Sequence, residues 1–412
     1  MRRKKLYILL GVVSILICAS IIIPVTLHGL HKNKPVELPN QTILSAGLYD
    51  QENQLTTAWT DLVDQNLIEI NGTTIVDCSR ELSGSLVLDE GILKIGKNAF
   101  LSCQALTSVT LPASVTEIGL DAFYNCIGLE QVIVPEDSEL VTIGYGAFTY
   151  CEKLKTFSIP ASVTMIDESA FLGCTALNHI TIPAAITTIE ESLFKDCKSL
   201  SDITFTVSPV KIDSYAFYNC ESLPMIDLTK VETIGNRAFF GCDALTSIRI
   251  PLSCKKIEQE AFYRCLGLEE ILFDENDLTE ERPLDSIVLE QGVFEECSSL
   301  KMVTLPSSIT VISDYMFAGC ESLESFSIGK FVTRIGRFAF QECDRLTISF
   351  LTKGYWVYNK ENDFTNADDY TFINFWESEE DRRLLIDGLE DCYFGIVEEA
   401  TSPEAPEGPE EV

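Results

Sequence analysis

Apolar residues in this chain return on a long, fixed step. The skeleton Ala-Phe-x-x-Cys-x-x-Leu first appears at Ala99-Phe100-Leu101-Ser102-Cys103-Gln104-Ala105-Leu106. Its phenylalanine comes back as Phe123, Phe148, Phe171, Phe194, Phe217, Phe239, Phe262, Phe294, Phe317 and Phe340. A cysteine follows each phenylalanine by three residues, from Cys103 to Cys343, and a leucine follows each cysteine by three, from Leu106 to Leu346. Eleven phenylalanines give ten intervals of 22 to 32 residues, seven of them 23. A period of this length means one supersecondary coil per repeat, each burying its apolar side only against its neighbours: a solenoid.

Within one coil the pattern predicts two kinds of element. Val109-Thr110-Leu111 alternates apolar and polar residues, which reads as a short half-buried strand. Ile180-Thr181-Ile182, Ile248-Arg249-Ile250, Val303-Thr304-Leu305 and Phe326-Ser327-Ile328 repeat it. Prolines at 112, 160, 183, 251 and 306 close the strand where a ladder donor is no longer needed. Val115 and Ile118 pack inward from the return segment. Ala122-Phe123-x-x-Cys126 has helical or 3₁₀ spacing, so its phenylalanine and cysteine share one buried side. The expected fold class is a β-rich repeat solenoid of about eleven regular coils, with short strands and short helical or 3₁₀ turns, capped at both ends.

The flanks read differently. Residues 1–5 are a basic end, and residues 6–27 carry no charge over a length that fits a bilayer. Arg2, Arg3, Lys4 and Lys5 favour a cytoplasmic N-terminus with the rest outside. The competing reading is a cleaved signal peptide and a secreted product. Residues 28–41 form a polar, proline-containing tether, 42–83 an N-terminal cap with degenerate coil, and 351–397 an aromatic-rich C-terminal cap with a helix expected over Glu379 to Leu389. Residues 398–412 are an acidic, proline-rich tail with the composition of a disordered segment.

The repeat over residues 84–350 resembles the BspA-like leucine-rich repeats of bacterial and protist surface proteins, in spacing, residue type and copy number. That resemblance implies a curved leucine-rich-repeat solenoid. It also implies cell-surface binding or adhesion, a weaker implication because one fold serves many partners.

Charge and cysteine content narrow the chemistry. With 63 acidic and 30 basic residues the formal net charge is −33, which repels nucleic-acid phosphates and excludes a nucleic-acid partner. Eleven of the 15 cysteines belong to the repeat, where equivalent side chains point in parallel, so they read as free core thiols rather than a disulfide framework. Of the three histidines, His28 and His31 lie in the tether and His179 stands on a strand. No phosphate-cradling loop, metal set or catalytic constellation is singled out, so no cofactor, metal or catalytic residue is assigned. A carboxylate-based enzyme is the lesser alternative. The acidic insertion at 274–286 reads as a solvated loop.

Recognition is therefore expected on the outward strand positions, two and four residues after each repeat leucine. The candidates there are Gln131, Ile133, His179, Asp202, Met225, Asp227, Arg249, Glu270, Leu272 and Met302, interrupting a ribbon of serine and threonine. The expected partner is a protein or glycan; the alternative is an envelope spacer without a ligand.

Overall fold

The structure is a computed structural model. It describes residues 65–88, 90–274 and 287–351, together with 36–37, 42–43, 355–359, 371–373, 393–397 and Leu385. The membrane-span expectation at 6–27, the acidic tail at 398–412 and most of the 274–286 insertion lie outside the described residues, as does the 379–389 helix apart from Leu385. Among the described residues no helix is long and apolar enough to cross a membrane.

The repeat folds as stacked coils held by parallel strand pairing. A front sheet runs through Leu82–Val87, Ala105–Thr110, Gln131–Ile133, Thr156–Phe157, His179–Ile182 and Asp202–Phe205, then resumes at Ser247–Ile250, Glu270–Phe273 and Met302–Val303. A last front pair joins Ser325–Ile328 to Thr347–Phe350. The register advances by one coil per strand, so Gln131, Thr156, His179 and Asp202 lie side by side. Inward residues such as Val109, Ile180, Ile248 and Phe326 are buried while their neighbours face out, as alternation dictates.

A second strand ladder runs along the return segment. Lys94–Ile95, Glu117–Ile118, Thr142–Ile143 and Met165–Ile166 pair in parallel, and Thr188–Ile189, Lys211–Ile212, Thr233–Ile234, Lys256–Ile257 and Val288–Leu289 continue the pattern. The sequence reading placed Ile118 inward but expected no strand here. Two-residue strands carry too little alternation to be seen, and only the recurrence of a buried Ile or Leu behind a less buried residue marks them.

The Ala-Phe-x-x-Cys segment is a set of turns rather than the expected helical or 3₁₀ piece. Single three-residue bonds do occur, as from Cys126 N–H to the Phe123 carbonyl at 3.2 Å. Residues on either side of the Ala-Phe pair take positive φ, such as Asp121 at 50° and Asn125 at 59°, which stops a right-handed helix from propagating. Their main-chain donors go instead to the next coil: Phe123 N–H reaches the Ala147 carbonyl at 2.8 Å, and Asn125 N–H the Thr149 carbonyl at 2.8 Å. The turn face is thus a third inter-coil hydrogen-bonded ladder.

The core is built on that ladder. All eleven repeat phenylalanines are fully buried, and their rings form one continuous stack with centroids 4.8 to 5.7 Å apart. Beside it the cysteines are free and buried. From Cys126 onward each repeat thiol donates back to a phenylalanine carbonyl of the preceding coil, as Cys126 does to Phe100 at 3.0 Å and Cys242 to Phe217 at 3.2 Å; Cys103, in the first coil, faces the Ser79 carbonyl instead. Burial pushes the thiols of Cys103 and Cys343 up to about 12 and that of Cys254 to about 11. They stay protonated at neutral pH, which suits a packed thiol and not a nucleophile or metal ligand.

At the start, Ile68–Asn71 and Thr74–Cys78 form an antiparallel hairpin around Gly72, and Thr74–Cys78 pairs onward with Lys94–Ile95. Val36–Glu37, expected in the tether, pairs with Leu82–Ser83, because the edge of the first full front strand offers unpaired main-chain groups. At the other end, Tyr355–Asn359, Thr371–Ile373 and Tyr393–Val397 form antiparallel strands, and Tyr393–Val397 pairs with Arg334–Ile335, closing the return ladder.

Candidate ligand-binding face

The outward side of the front sheet carries the candidate residues. Gln131, Ile133, His179, Asp202, Arg249 and Met302 are exposed on strands, whereas Glu270 and Leu272 are half-buried. Met225 and Asp227 are exposed but not on a strand: their coil has no front strand among the described residues. The physical reason lies in Pro224, which has no N–H to donate where Ser201 bonds back to Asn178, and in the 22-residue length of this coil, one short of the usual 23.

A His–Asp hydrogen bond and three ion pairs tie adjacent coils across this face. His179 Nδ1 lies 2.8 Å from Asp202 Oδ2, Arg249 Nη1 lies 2.7 Å from Asp274 Oδ1, Lys155 Nζ lies 2.9 Å from Glu130 Oε2, and Lys301 Nζ lies 2.8 Å from Glu269 Oε2. These pairs are exposed and screened by solvent, so they add little to stability. Sequence reasoning singled out His179, Asp202 and Arg249 but not the pairing of His179 with Asp202 or of Arg249 with Asp274, since residues one coil apart are in contact only once the register is known. Lys155, Arg249 and Lys301 are thus neutralised locally.

The opposite, turn side holds a different constellation. Arg237 Nε pairs with Glu260 Oε2 at 2.6 Å, and Tyr263 donates its hydroxyl to Glu296 Oε1 at 3.0 Å. Glu295 sits between Glu260 and Glu296; burial first, and then those two carboxylates, push its carboxyl up to about 8, against the pull of Arg237. A semi-buried aromatic row, Tyr218, Phe240 and Tyr263, stacks beside it with centroids 4.4 and 5.2 Å apart. Phe240 lies between the two tyrosine rings, so both of its faces are covered. Among the described residues no group of three or more His, Cys, Asp or Glu is arranged to hold a metal ion.

Coils of this length, with parallel front strands and a phenylalanine and cysteine on the turn side, define a leucine-rich-repeat solenoid. The chain belongs to the BspA type leucine-rich repeat family: the family model matches residues 77–201, 166–282 and 280–381. Solved structures are similar as well. A leucine-rich cell surface protein from Faecalibacterium prausnitzii is 26% identical, with 69% of this chain and 93% of that one covered and a TM-score of 0.47. A leucine-rich repeat protein from Bacteroides ovatus is 24% identical over 68% of this chain and 86% of that one, with a TM-score of 0.50. The pneumococcal vaccine antigen PcpA is 18% identical over 69% and 80%, with a TM-score of 0.42. The search of curated proteins gave no match.

Proposed function

We propose that the chain is a membrane-anchored, extracytoplasmic binding protein whose front strand face recognises a protein or glycan, in the service of adhesion or another surface interaction. Membership in a leucine-rich-repeat family suggests a protein-interaction role and a place at the cell surface. The anchor is assigned to residues 6–27, which are uncharged and follow four basic residues. The observation that carries the reading is a set of exposed apolar side chains on the front: Ile133, Met225 and Met302, 41%, 72% and 53% exposed, stand among small polar residues. Exposed apolar side chains in a polar field are the anchors that protein interfaces use.

Photo-crosslinking tests it. A crosslinking residue is placed one position at a time in the full chain at Gln131, His179 and Ser247 on the front, and at Lys97 and Arg264 on the turn side, in the producing cells with their surroundings present. Adducts to another macromolecule are expected from the front positions and not from the turn side. Adducts from the turn side alone would overturn the assignment, and adducts from neither would favour a spacer.

A further inference from the structure

Sulfur is abundant in this chain, and most of it is sealed. Thirteen cysteines are described, and all are free and buried. The repeat thiols lie beside the phenylalanine stack, donate to main-chain carbonyls and keep their protons. Met316 is buried too, in the place that Ala122 holds before Phe123. The exceptions are Met165, Met225 and Met302, 49%, 72% and 53% exposed. Among the described residues, an oxidant in the surrounding water reaches sulfur at these three side chains.

Their placement is uneven. Met165 stands on the return ladder, in strand Met165–Ile166. Met225 and Met302 stand on the front, each two residues after a buried repeat leucine, Leu223 and Leu300. Ser247 and Glu270 hold the same row between them, with Ser247 paired to Glu270 and Glu270 to Met302. Leucine at these two positions would offer similar apolar surface. The thioether adds a flexible chain and a sulfur lone pair open to oxidation.

We propose that Met225 and Met302 form an oxidation site that switches the binding face off, with a peroxide as co-reactant; the switch rests on the binding role assigned to that face above. The sulfur lone pair attacks one peroxide oxygen, an S–O bond forms and the O–O bond breaks. The departing oxygen takes the proton from the transferred one and leaves as water, so thioether and hydrogen peroxide become sulfoxide and water. Sulfur gives up two electrons and the peroxide takes them. Each sulfoxide puts a strong hydrogen-bond acceptor where an apolar anchor stood. A partner surface shaped to methionine offers it no donor, so burying it carries the cost of an unmet hydrogen bond. The buried thiols and Met316 stay reduced, and the solenoid stays folded while the partner is released. Sulfoxide reductases return the thioether, with two thiols oxidised to a disulfide and the oxygen lost as water, which makes the switch reversible.

The test uses the full chain in the producing cells, with a crosslinking residue at Ser247 and hydrogen peroxide as the oxidant. Peptide mass spectrometry should show Met225 and Met302 oxidising at least tenfold faster than Met316. Adduct yield at Ser247 should fall at least fivefold on treatment and return once methionine sulfoxide reductases and dithiothreitol are added. M165L should lose adducts in the same way, because its methionine lies off the face. In M225L/M302L the treated and untreated yields should agree; if that variant gives no adducts of its own, the recovery on reduction decides. Equal oxidation rates at Met225, Met302 and Met316 overturn the site. A yield that ignores peroxide, that the reductases do not restore, or that still falls in M225L/M302L overturns the switch and leaves the binding face standing. No adduct at Ser247 in untreated cells overturns that part of the binding face, and the switch with it.

Discussion

Glu295 offers the sharpest test of the packing on the turn side. Its carboxyl is pushed to about 8 from the usual 4.5, first by burial and then by Glu260 and Glu296. A carboxyl raised on folding binds its proton more tightly in the folded than in the unfolded chain. Its stabilising contribution is complete below about pH 4.5 and is lost as the pH rises through the interval to about 8, beyond which the folded chain carries the full cost of the charge. At about 1.4 kcal/mol per pKa unit the ceiling is about 5 kcal/mol, and solvent screening of a side chain that is only part-buried brings the expected figure to about 2 kcal/mol. Glu295→Gln keeps the shape and removes the charge. Urea unfolding of the variant and the parent, compared at pH 5 and pH 9, should give near-equal stability at pH 5 and a variant about 2 kcal/mol more stable at pH 9. The parent-minus-variant difference cancels the distant titrating groups, while Glu260 and Glu296, coupled to Glu295, are read together with it. A difference that does not change with pH, or a variant weaker at pH 9, would refute the argument that Glu295 is desolvated between its two acidic neighbours.

Four further substitutions probe the ladders and the turn conformation. Phe217→Ala opens a hole between Phe194 and Phe239, whose rings lie 5.6 and 5.3 Å away, and should cost about 3–5 kcal/mol by urea unfolding. Gly235→Ala places a Cβ 2.5 Å from the Ser214 nitrogen and 2.6 Å from the Asp213 carbonyl carbon, main-chain atoms that cannot step aside, and should cost about 1–3 kcal/mol in the same assay. Glu342, exposed and held at φ 61°, should gain about 0.5 kcal/mol on change to glycine, because release of the left-handed strain exceeds the entropy that glycine adds to the unfolded chain. The same change at exposed Glu321, which has no positive φ, should instead lower thermal stability.

What the sequence revealed, and what it hid, follows from how each ladder is written in residues. The phenylalanine stack and the thiol row are legible because buried positions accept few residue types, so the repeat shows itself at Phe100, Cys103 and Leu106 and again ten times after. The front strand is legible from alternation at Val109-Thr110-Leu111. The turn conformation is not: its left-handed positions hold Asn98, Asp121, Tyr215, Arg237 and Phe338, and only a few hold the glycine that would announce them. Main-chain bonds from one coil to the next enforce that conformation, and a composition-based reading cannot see a partner 23 residues away. The same blindness applies to the candidate face. Met225 was placed on it by counting from its leucine, yet Pro224 removes the donor that would have made its segment a strand, and the count survives where the hydrogen bond does not.

The thiol bonds bear on how the chain reaches this state. From Cys126 onward each repeat cysteine donates backward to a phenylalanine of the preceding coil, and each repeat phenylalanine ring before the last has its second face covered by the next one. These inter-coil contacts each span about one repeat, about 23 residues in a chain of 412, so loop closure is short at every step and ordering can spread coil by coil from any seeded pair. A chain that emerges N-terminus first can lay each coil on a finished template while the following one is still being made, and its last exposed ring waits only for about 23 more residues.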